Sequence, residues 1–498
     1  MKKINSKITA VLVLSLAAVL SGCVITPSTS SSSTSTEQPS TSTAPVSTVE
    51  AYNGEPVTIS FYHTMGTNLK PILESAIERF NEMYPNITVN HTSVGGYDDV
   101  RDQIKTEISV GAQPNLAYCY PDHVALYNQA KAVRTLDDFI NSTIEQTTYE
   151  SDASLRTTSI LGLTAEQQAD FIDGYYNEGK SFGDDLMYTL PFSKSTEVLY
   201  YNKTFFDANN LTVPTTWEEV EAVARKIKEI EPYSIPLGYD SEANWFITMA
   251  EQYGNPYTAA VKEIEDRFLF DNDANKAFVR EFAEWYNDGL VTTQTLYGSY
   301  TSGLFTNLTE TEGKLIRSLM CIGSSAGATH QRPAKGDDGT YPFEVGIAPL
   351  PQVDSANPKA ISQGPSVVMF KSTPQKEAAT WLLMEFLTTD VAFQAEFGSS
   401  SGYMPVLESV QENDTYKAML DSADGGDNVA ALAAKAAFAQ IDAYFVSPAF
   451  IGSSEARDQV GNIVCSAMLA TQQTGGLSDA KLNQIFSDAI IMCQYKTQ

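Results

Sequence analysis

Apolar and polar positions along the chain repeat with two different periods. Val57-Thr-Ile-Ser-Phe-Tyr62 alternates as a half-buried strand does, and Leu69, Ile72, Leu73, Ala76, Ile77, Phe80 and Tyr84 then follow the i, i+3, i+4 spacing of one helix face. Pro71 suits the first turn of that helix and Pro85 ends it. A short strand near 87–89, a helix carrying Val100, Ile104 and Ile108 that stops at Gly111, and a strand over 115–120 complete a β-α-β-α-β run. That alternation predicts a parallel sheet covered by helices.

The pattern then starts again. Strands are predicted at Met187-Tyr-Thr-Leu190 and Glu197-Val-Leu-Tyr-Tyr201, and Thr216-Trp-Glu-Glu219 is a capping box that opens a helix with Val220, Val223, Ala224, Ile227 and Ile230 inward. Later strands fit 315–322, 343–348 and 366–370, the last feeding a helix capped by Thr373 with Pro374 at its first position. From about Asp414 onward the periodicity is helical. No repeat of 20 to 50 residues is found, which argues against solenoids and propellers. The fold class expected is α/β, with two lobes and a helical C-terminal portion.

The N-terminus follows a different logic. Lys2, Lys3 and Lys7 precede an apolar run over 8–20, too short to span a bilayer comfortably, and the run ends in Leu20-Ser21-Gly22-Cys23. Small residues before a cysteine resemble the lipobox of bacterial lipoprotein signal peptides, which implies a signal peptide over 1–22 and an acylated Cys23. In the next 27 residues, 24–50, 16 are Ser or Thr, so 23–50 cannot bury enough surface to fold and is expected to be a tether.

Charge narrows the function classes. Lys and Arg number 32 against 61 Asp and Glu, a net charge of −29. Such a chain repels phosphate backbones and anionic bilayer surfaces, so no nucleic-acid partner and no polybasic membrane patch are expected. Cys119, Cys321, Cys465 and Cys493 lie far apart with no C-x-x-C pair, and are expected to be small buried hydrophobes. No cofactor and no metal are expected.

Two enzyme motifs occur out of context. Gly174-Tyr-Tyr-Asn-Glu-Gly179-Lys180-Ser181 fits the P-loop spacing, but 164–172 reads as helix where a strand is needed. Gly323-Ser-Ser-Ala-Gly327 fits the nucleophile elbow and follows a plausible strand, yet the histidines are His63, His91, His123 and His330, the last only five residues beyond Ser325. A secreted lipoprotein hydrolase using Ser325 remains the alternative reading, discriminated by ester turnover lost in Ser325→Ala. Asp271-Asn-Asp273-Ala-Asn275 starts like a calcium loop, but Lys276 replaces the required Gly, so a capped helix start is expected.

Aromatic and small polar residues gather at strand ends instead: Tyr62-His63-Thr64, Gly95-Gly96-Tyr97, Tyr120, 193–196, Trp245, Ser324-Ser325, Gly364 and Tyr403. Aromatic planes beside hydroxyls and amides suit polyols, which offer apolar C–H faces between hydroxyl rims.

Leu190-Pro-Phe-Ser-Lys-Ser-Thr-Glu-Val-Leu-Tyr-Tyr-Asn-Lys203, continued to Trp217-Glu-Glu219, with Phe61-Tyr-His-Thr-Met-Gly66, Gly346-Ile-Ala-Pro-Leu-Pro351 and Ser401-Gly-Tyr-Met-Pro405, resembles the family 1 extracellular solute-binding proteins of ABC importers. The likeness runs from Val57 to the C-terminus and is greatest to the sugar and glycerol-3-phosphate branch. It implies a type II periplasmic-binding-protein fold, with lobe one over 51–190 and 366–406, lobe two over 195–362 and 407–498, and a ligand cleft between hinge-linked lobes. It implies no catalysis, a carbohydrate or glycerol-phosphate-type ligand, and delivery to the transmembrane subunits of an ABC permease.

Carried over by position, the resemblance implies Tyr97, Asp122, Ser195, Trp245, Ser325, Gly364 and Tyr403 as cleft residues. Asp122 would accept hydrogen bonds from ligand hydroxyls, and Trp245 and Tyr403 would supply stacking faces. Where the glycerol-3-phosphate branch places a phosphate-binding Arg, this chain reads Ser447-Pro-Ala-Phe-Ile-Gly452, with Phe450 at the equivalent position and Arg457 as a candidate substitute. Loss of that guanidinium favours a neutral saccharide.

Overall fold

The computed structural model describes residues 49–260, 263 and 266–497. The segment 1–22 expected to be a signal peptide, Cys23 and most of the Ser/Thr-rich stretch lie outside these residues.

The first sheet has five strands in the order Ile87–Ser93, Val57–His63, Leu116–Cys119, Ser366–Met369 and Thr189–Pro191. The first three are mutually parallel, as the β-α-β-α-β run predicts, while Ser366–Met369 enters antiparallel between Leu116–Cys119 and Thr189–Pro191. A strand from late in the sequence therefore closes a sheet built early, which ties the chain's two halves together. Alternate residues of these strands feed two cores: Ile59, Phe61, Tyr118 and Val367 face one side, and Ala117, Cys119 and Val368 the other. Helix Tyr97–Ile108 covers the second side through Val100 and Ile104.

The second sheet is organised around Ser195–Asn202, whose eight residues are buried almost throughout. It pairs antiparallel with Met320–Ser324 on one edge and with Val345–Pro349 and Ala360–Gln363 on the other. Leu237–Tyr239 and Val291–Thr293 extend the sheet in parallel. These two three-residue strands are too short for a periodicity to register. Helix Trp217–Ile230 begins with the expected capping box, Thr216 accepting from the Glu219 amide, and buries Val220, Ala224 and Ile227 on this sheet.

The core of lobe one extends further along the chain than 366–406. Val410, Tyr416, Met419 and Ala423 pack into it, and the alanine-rich helix Val429–Phe438 serves both lobes. Its Ala431, Ala434 and Ala437 belong to the lobe-one core, whereas Val429, Ala433 and Ala436 pack on Val198, Tyr200 and Val345 of the second sheet. Side chains one carbon long let a single helix fit closely between two layers. Helices Ser453–Thr474 and Asp479–Thr497 then cover lobe two.

Candidate functional site

The chain passes between the sheets at 191–195 and again at 363–366, and the two crossings are bonded to each other. The amides of Phe192 and Ser193 both donate to the Pro365 carbonyl, at 3.0 and 3.2 Å. Gly364 holds a left-handed φ of 97°, and a Cβ there would lie 2.5 Å from the Ser193 carbonyl oxygen and 2.7 Å from the Lys194 Cα. Only glycine fits such a conformation and spacing. Beside it, Lys194 Nζ donates to Glu178 Oε1 at 2.7 Å and to Ser366 Oγ at 3.3 Å, with Lys194 and Glu178 both buried.

Against this crossing lies a cavity that is partly open to solvent. Lobe one contributes Tyr120, Asp122 and Glu178, the crossing contributes Ser362 and Gly364, and lobe two contributes Tyr257, Ser447 and Arg457. Asp122 Oδ2, Ser362 Oγ and Ser447 Oγ are buried and have no protein hydrogen-bond partner. Buried polar atoms are ordinarily satisfied, so three such atoms on one cavity wall mark a surface built to bond something else.

Arg457 spans the cleft. Its guanidinium carbon lies 5.9 Å from the Tyr120 ring centroid, and its Nη2 donates to Asn244 Oδ1. Asn244 Nδ2 in turn donates to Glu197 Oε1 at 3.1 Å, and the Tyr239 hydroxyl donates to Glu197 Oε2 at 2.6 Å. Burial pushes the Glu197 carboxyl up to about 7, against the pull of those two hydrogen bonds. A second clasp lies nearby: Arg101 of lobe one reaches Asp458 at 3.4 Å and Ser454 at 3.2 Å in lobe two.

Tyr97 opens its helix with its ring stacked on Tyr120, centroids 4.5 Å apart, and its hydroxyl 3.0 Å from that of Tyr403. Burial drives the phenols of Tyr97 and Tyr120 well above their ordinary range, and raises that of Tyr403, so all three keep their protons. The result is a neutral aromatic platform with hydroxyl rims.

The sequence profile of the bacterial extracellular solute-binding proteins matches residues 75–445. This chain belongs to that family. Membership places its working site outside the cytoplasm and makes solute binding its class of activity. The sn-glycerol-3-phosphate-binding periplasmic protein UgpB of Escherichia coli K12 is 26% identical over 174 residues, 34% of this chain and 35% of that protein. Among solved structures, UgpB of Mycobacterium tuberculosis in complex with glycerophosphocholine has a TM-score of 0.67 at 15% identity, covering 88% of this chain and 98% of that one. The substrate-binding protein Lmo0181 of Listeria monocytogenes in complex with cycloalternan has a TM-score of 0.67 at 15% identity, covering 89% and 99%. The fold is thus the two-lobed type II arrangement that the resemblance implied.

In this solute-binding protein the residues expected at the cleft divide into three groups. Asp122 and Gly364 line the cavity, and Tyr97 and Tyr403 form the hydroxyl pair of the platform beside it. Ser195 is buried at the start of the central strand, paired with Gln363, where it backs Gly364. Two expectations are corrected. Trp245 supplies no exposed stacking face: it is 0% exposed, sandwiched in the lobe-two core between Tyr239 at 4.8 Å and Phe282 at 4.0 Å. An indole amid a run of apolar helix residues meets the core before it meets solvent.

Ser325 is also 0% exposed, and its Oγ accepts from the Thr196 amide at 3.4 Å, while His330 is exposed. The elbow motif does lie where strand gives way to helix, but its serine is turned inward, and this arrangement makes no nucleophile–base pair. The P-loop lookalike overlaps the helix Asp173–Glu178, and Asn272 caps the helix at the calcium-loop lookalike. Among the described residues no group of three or more His, Cys, Asp or Glu side chains could hold a metal, and no helix is long and apolar enough to cross a membrane.

The cavity does hold a guanidinium. Phe450 packs against Phe268 and Arg267, away from the cavity lining, whereas Arg457 lies in it. Sequence reasoning did not single out Glu197 and Asn244; the signal available was a carboxylate next to the apolar run Val198–Tyr201 in a strand that is buried almost throughout.

Proposed function

We propose that this solute-binding protein captures a carbohydrate or a glycerol-phosphate-type solute in the interlobe cavity and hands it to the transmembrane subunits of an ABC permease, without catalysing a reaction. The observation that carries the reading is the cavity wall itself. Asp122 offers an acceptor without a protein partner, Arg457 offers donors only, and Ser362 and Ser447 offer hydroxyls that do both. A hydroxyl-rich solute satisfies all of them, and the Tyr97, Tyr120 and Tyr403 rings suit its C–H faces. Gly364 and Ser195 shape the floor. Arg457 keeps a phosphate-bearing ligand compatible with the site, and the ligands named for the E. coli, M. tuberculosis and L. monocytogenes proteins span both chemistries. Acylation at Cys23 would hold the protein at the extracytoplasmic membrane face, with 24–50 as its leash.

A thermal-shift screen of the purified protein against mono-, di- and oligosaccharides, glycerol-3-phosphate and glycerophosphodiesters tests the reading. Ligand at about 100 times its Kd adds about 2.7 kcal/mol, a rise of a few degrees in Tm for a domain of this size. No shift across the panel, together with ester turnover, would overturn it. Mass spectrometry of the mature protein tests the anchor, which an unmodified Cys23 would exclude.

A further inference from the structure

Arg457 is held in an unusual way for a half-buried cation. Arg101, one clasp away, is ringed by Asp98, Asp102 and Asp458. Among the described residues no carboxylate pairs directly with Arg457; its guanidinium bonds the side-chain oxygen of Asn244, a neutral amide. An amide fixes a guanidinium in place without cancelling its charge, so the charge stays available to whatever enters the cavity.

Asn244 can do this in one orientation only. With Oδ1 turned to Arg457, Nδ2 faces Glu197, whose Oε1 accepts from it, while Oε2 accepts from Tyr239. Reversing the amide would set an N–H donor against the guanidinium donors. We infer that Asn244 and Glu197 are positioning residues for Arg457, and that the Glu197 carboxylate on the central strand of the second sheet fixes the amide orientation by which the cleft presents its guanidinium to the solute. The inference rests on the reading that this cavity takes the solute.

Both Glu197 oxygens are acceptors in this network, so it needs the carboxylate. A proton placed on Glu197 must be donated either to the Tyr239 hydroxyl or to a reversed Asn244 amide, and the second route releases Arg457. The groups facing Glu197 are Tyr239 and the following Asp240, Asn244 on the helix Glu242–Tyr253, and Arg457 on the helix Ser453–Thr474. Ser324 lies opposite across the ladder, and Gln440 bonds the Glu197 carbonyl. Arg457 favours the charged carboxyl and Asp240 opposes it, while burial raises its titration to about 7, so presentation of the guanidinium depends on pH near neutrality.

Modification by p-hydroxyphenylglyoxal, read peptide by peptide by mass spectrometry in the solute-free protein, tests this directly. The rate at Arg457 is divided by that at the exposed Arg156, which cancels the reagent's own pH dependence. Loss of a hydrogen bond to a charged group corresponds to about tenfold, so Arg457 should react about tenfold faster in Asn244→Ala than in the wild type at about pH 8.5. In the wild type alone, which needs no variant to fold, the protection should fade toward about pH 6. Glu197→Gln should lack it at both pH values, since a carboxamide, like the protonated acid, brings a donor to a place where the network needs two acceptors.

Calorimetry with maltotriose and with glycerophosphocholine supplies the second arm. Whichever probe binds should lose about tenfold in affinity in Asn244→Ala, and its pH dependence should flatten in Glu197→Gln. Wild-type protection that does not change with pH, or an Arg457 no more reactive in Asn244→Ala, would overturn the inference. If neither probe binds, it is the solute reading that loses support, and the modification rates decide the positioning roles.

Discussion

Lys194 Nζ sits 2.7 Å from Glu178 Oε1 at the crossing between the lobes, with both side chains withdrawn from solvent. Lys194 also pairs its backbone with Met404, its amide donating to the Met404 carbonyl at 2.9 Å. One residue thus joins three stretches of chain, 178, 194 and 404, through a charge and two peptide groups. A buried pair of this kind is costly to break from one side, because the survivor is left charged and unpaired.

Lys194→Met alone is therefore expected to lower stability by about 3–5 kcal/mol, and Lys194→Met combined with Glu178→Leu by much less than the two single losses together. Urea denaturation of the four proteins in the cycle checks this, and additive losses would show that the pair is not coupled.

Gly364→Ala should be more harmful than its size suggests. The added methyl meets the Ser193 carbonyl and the Lys194 Cα at 2.5 and 2.7 Å, and the backbone there is left-handed. Conformational strain and overpacking together are expected to cost about 2–4 kcal/mol, seen as a fall in Tm in the solute-free protein.

Trp245→Ala separates a core role from a ligand role. Its ring lies between Tyr239 and Phe282, so the variant should lose about 3–5 kcal/mol of stability while solute affinity, measured below the new melting point, changes little. A stable variant that no longer binds would restore Trp245 to the cleft.

Glu385 gives a pH signature. Burial pushes its carboxyl up to about 8 from 4.5, with a hydrogen bond from Gln167 at 3.2 Å working the other way. Between those values the folded state keeps a proton that the unfolded chain has released, so stability falls as pH rises through this window. Glu385→Gln should melt higher than the wild type at about pH 8, and the difference should shrink to nothing toward about pH 4. Equal pH profiles for the two proteins would contradict it.

Much of the fold was legible because long amphipathic segments carry their period in the residues themselves. The helix Lys70–Met83 and the strand Val57–His63 are read from spacing, and Thr216 with Glu219 marks a helix start by capping chemistry alone. Strands such as Leu237–Tyr239 hold too few residues to show a period. The site was legible only in part. Asp122 and Gly364 line the cavity, and Tyr97 and Tyr403 meet at its platform. Whether Trp245 or Ser325 turns toward the cleft or the core depends on packing between elements far apart in the chain, which local pattern does not encode. The choice between Phe450 and Arg457 stayed open for the same reason, since they stand on either side of a helix start and only the docked helix decides which one faces inward.

The helix Val429–Phe438 gives the two lobes something in common besides their hinge. With Ala431, Ala434 and Ala437 pressed on one core and Val429, Ala433 and Ala436 on the other, it works as a fulcrum: any rotation that parts one face compresses the other. Neither half would carry a finished interior if expressed alone: the half that kept the helix would expose its second face, and the half without it would expose the core that the helix covers. The two interiors are therefore completed by one and the same helix.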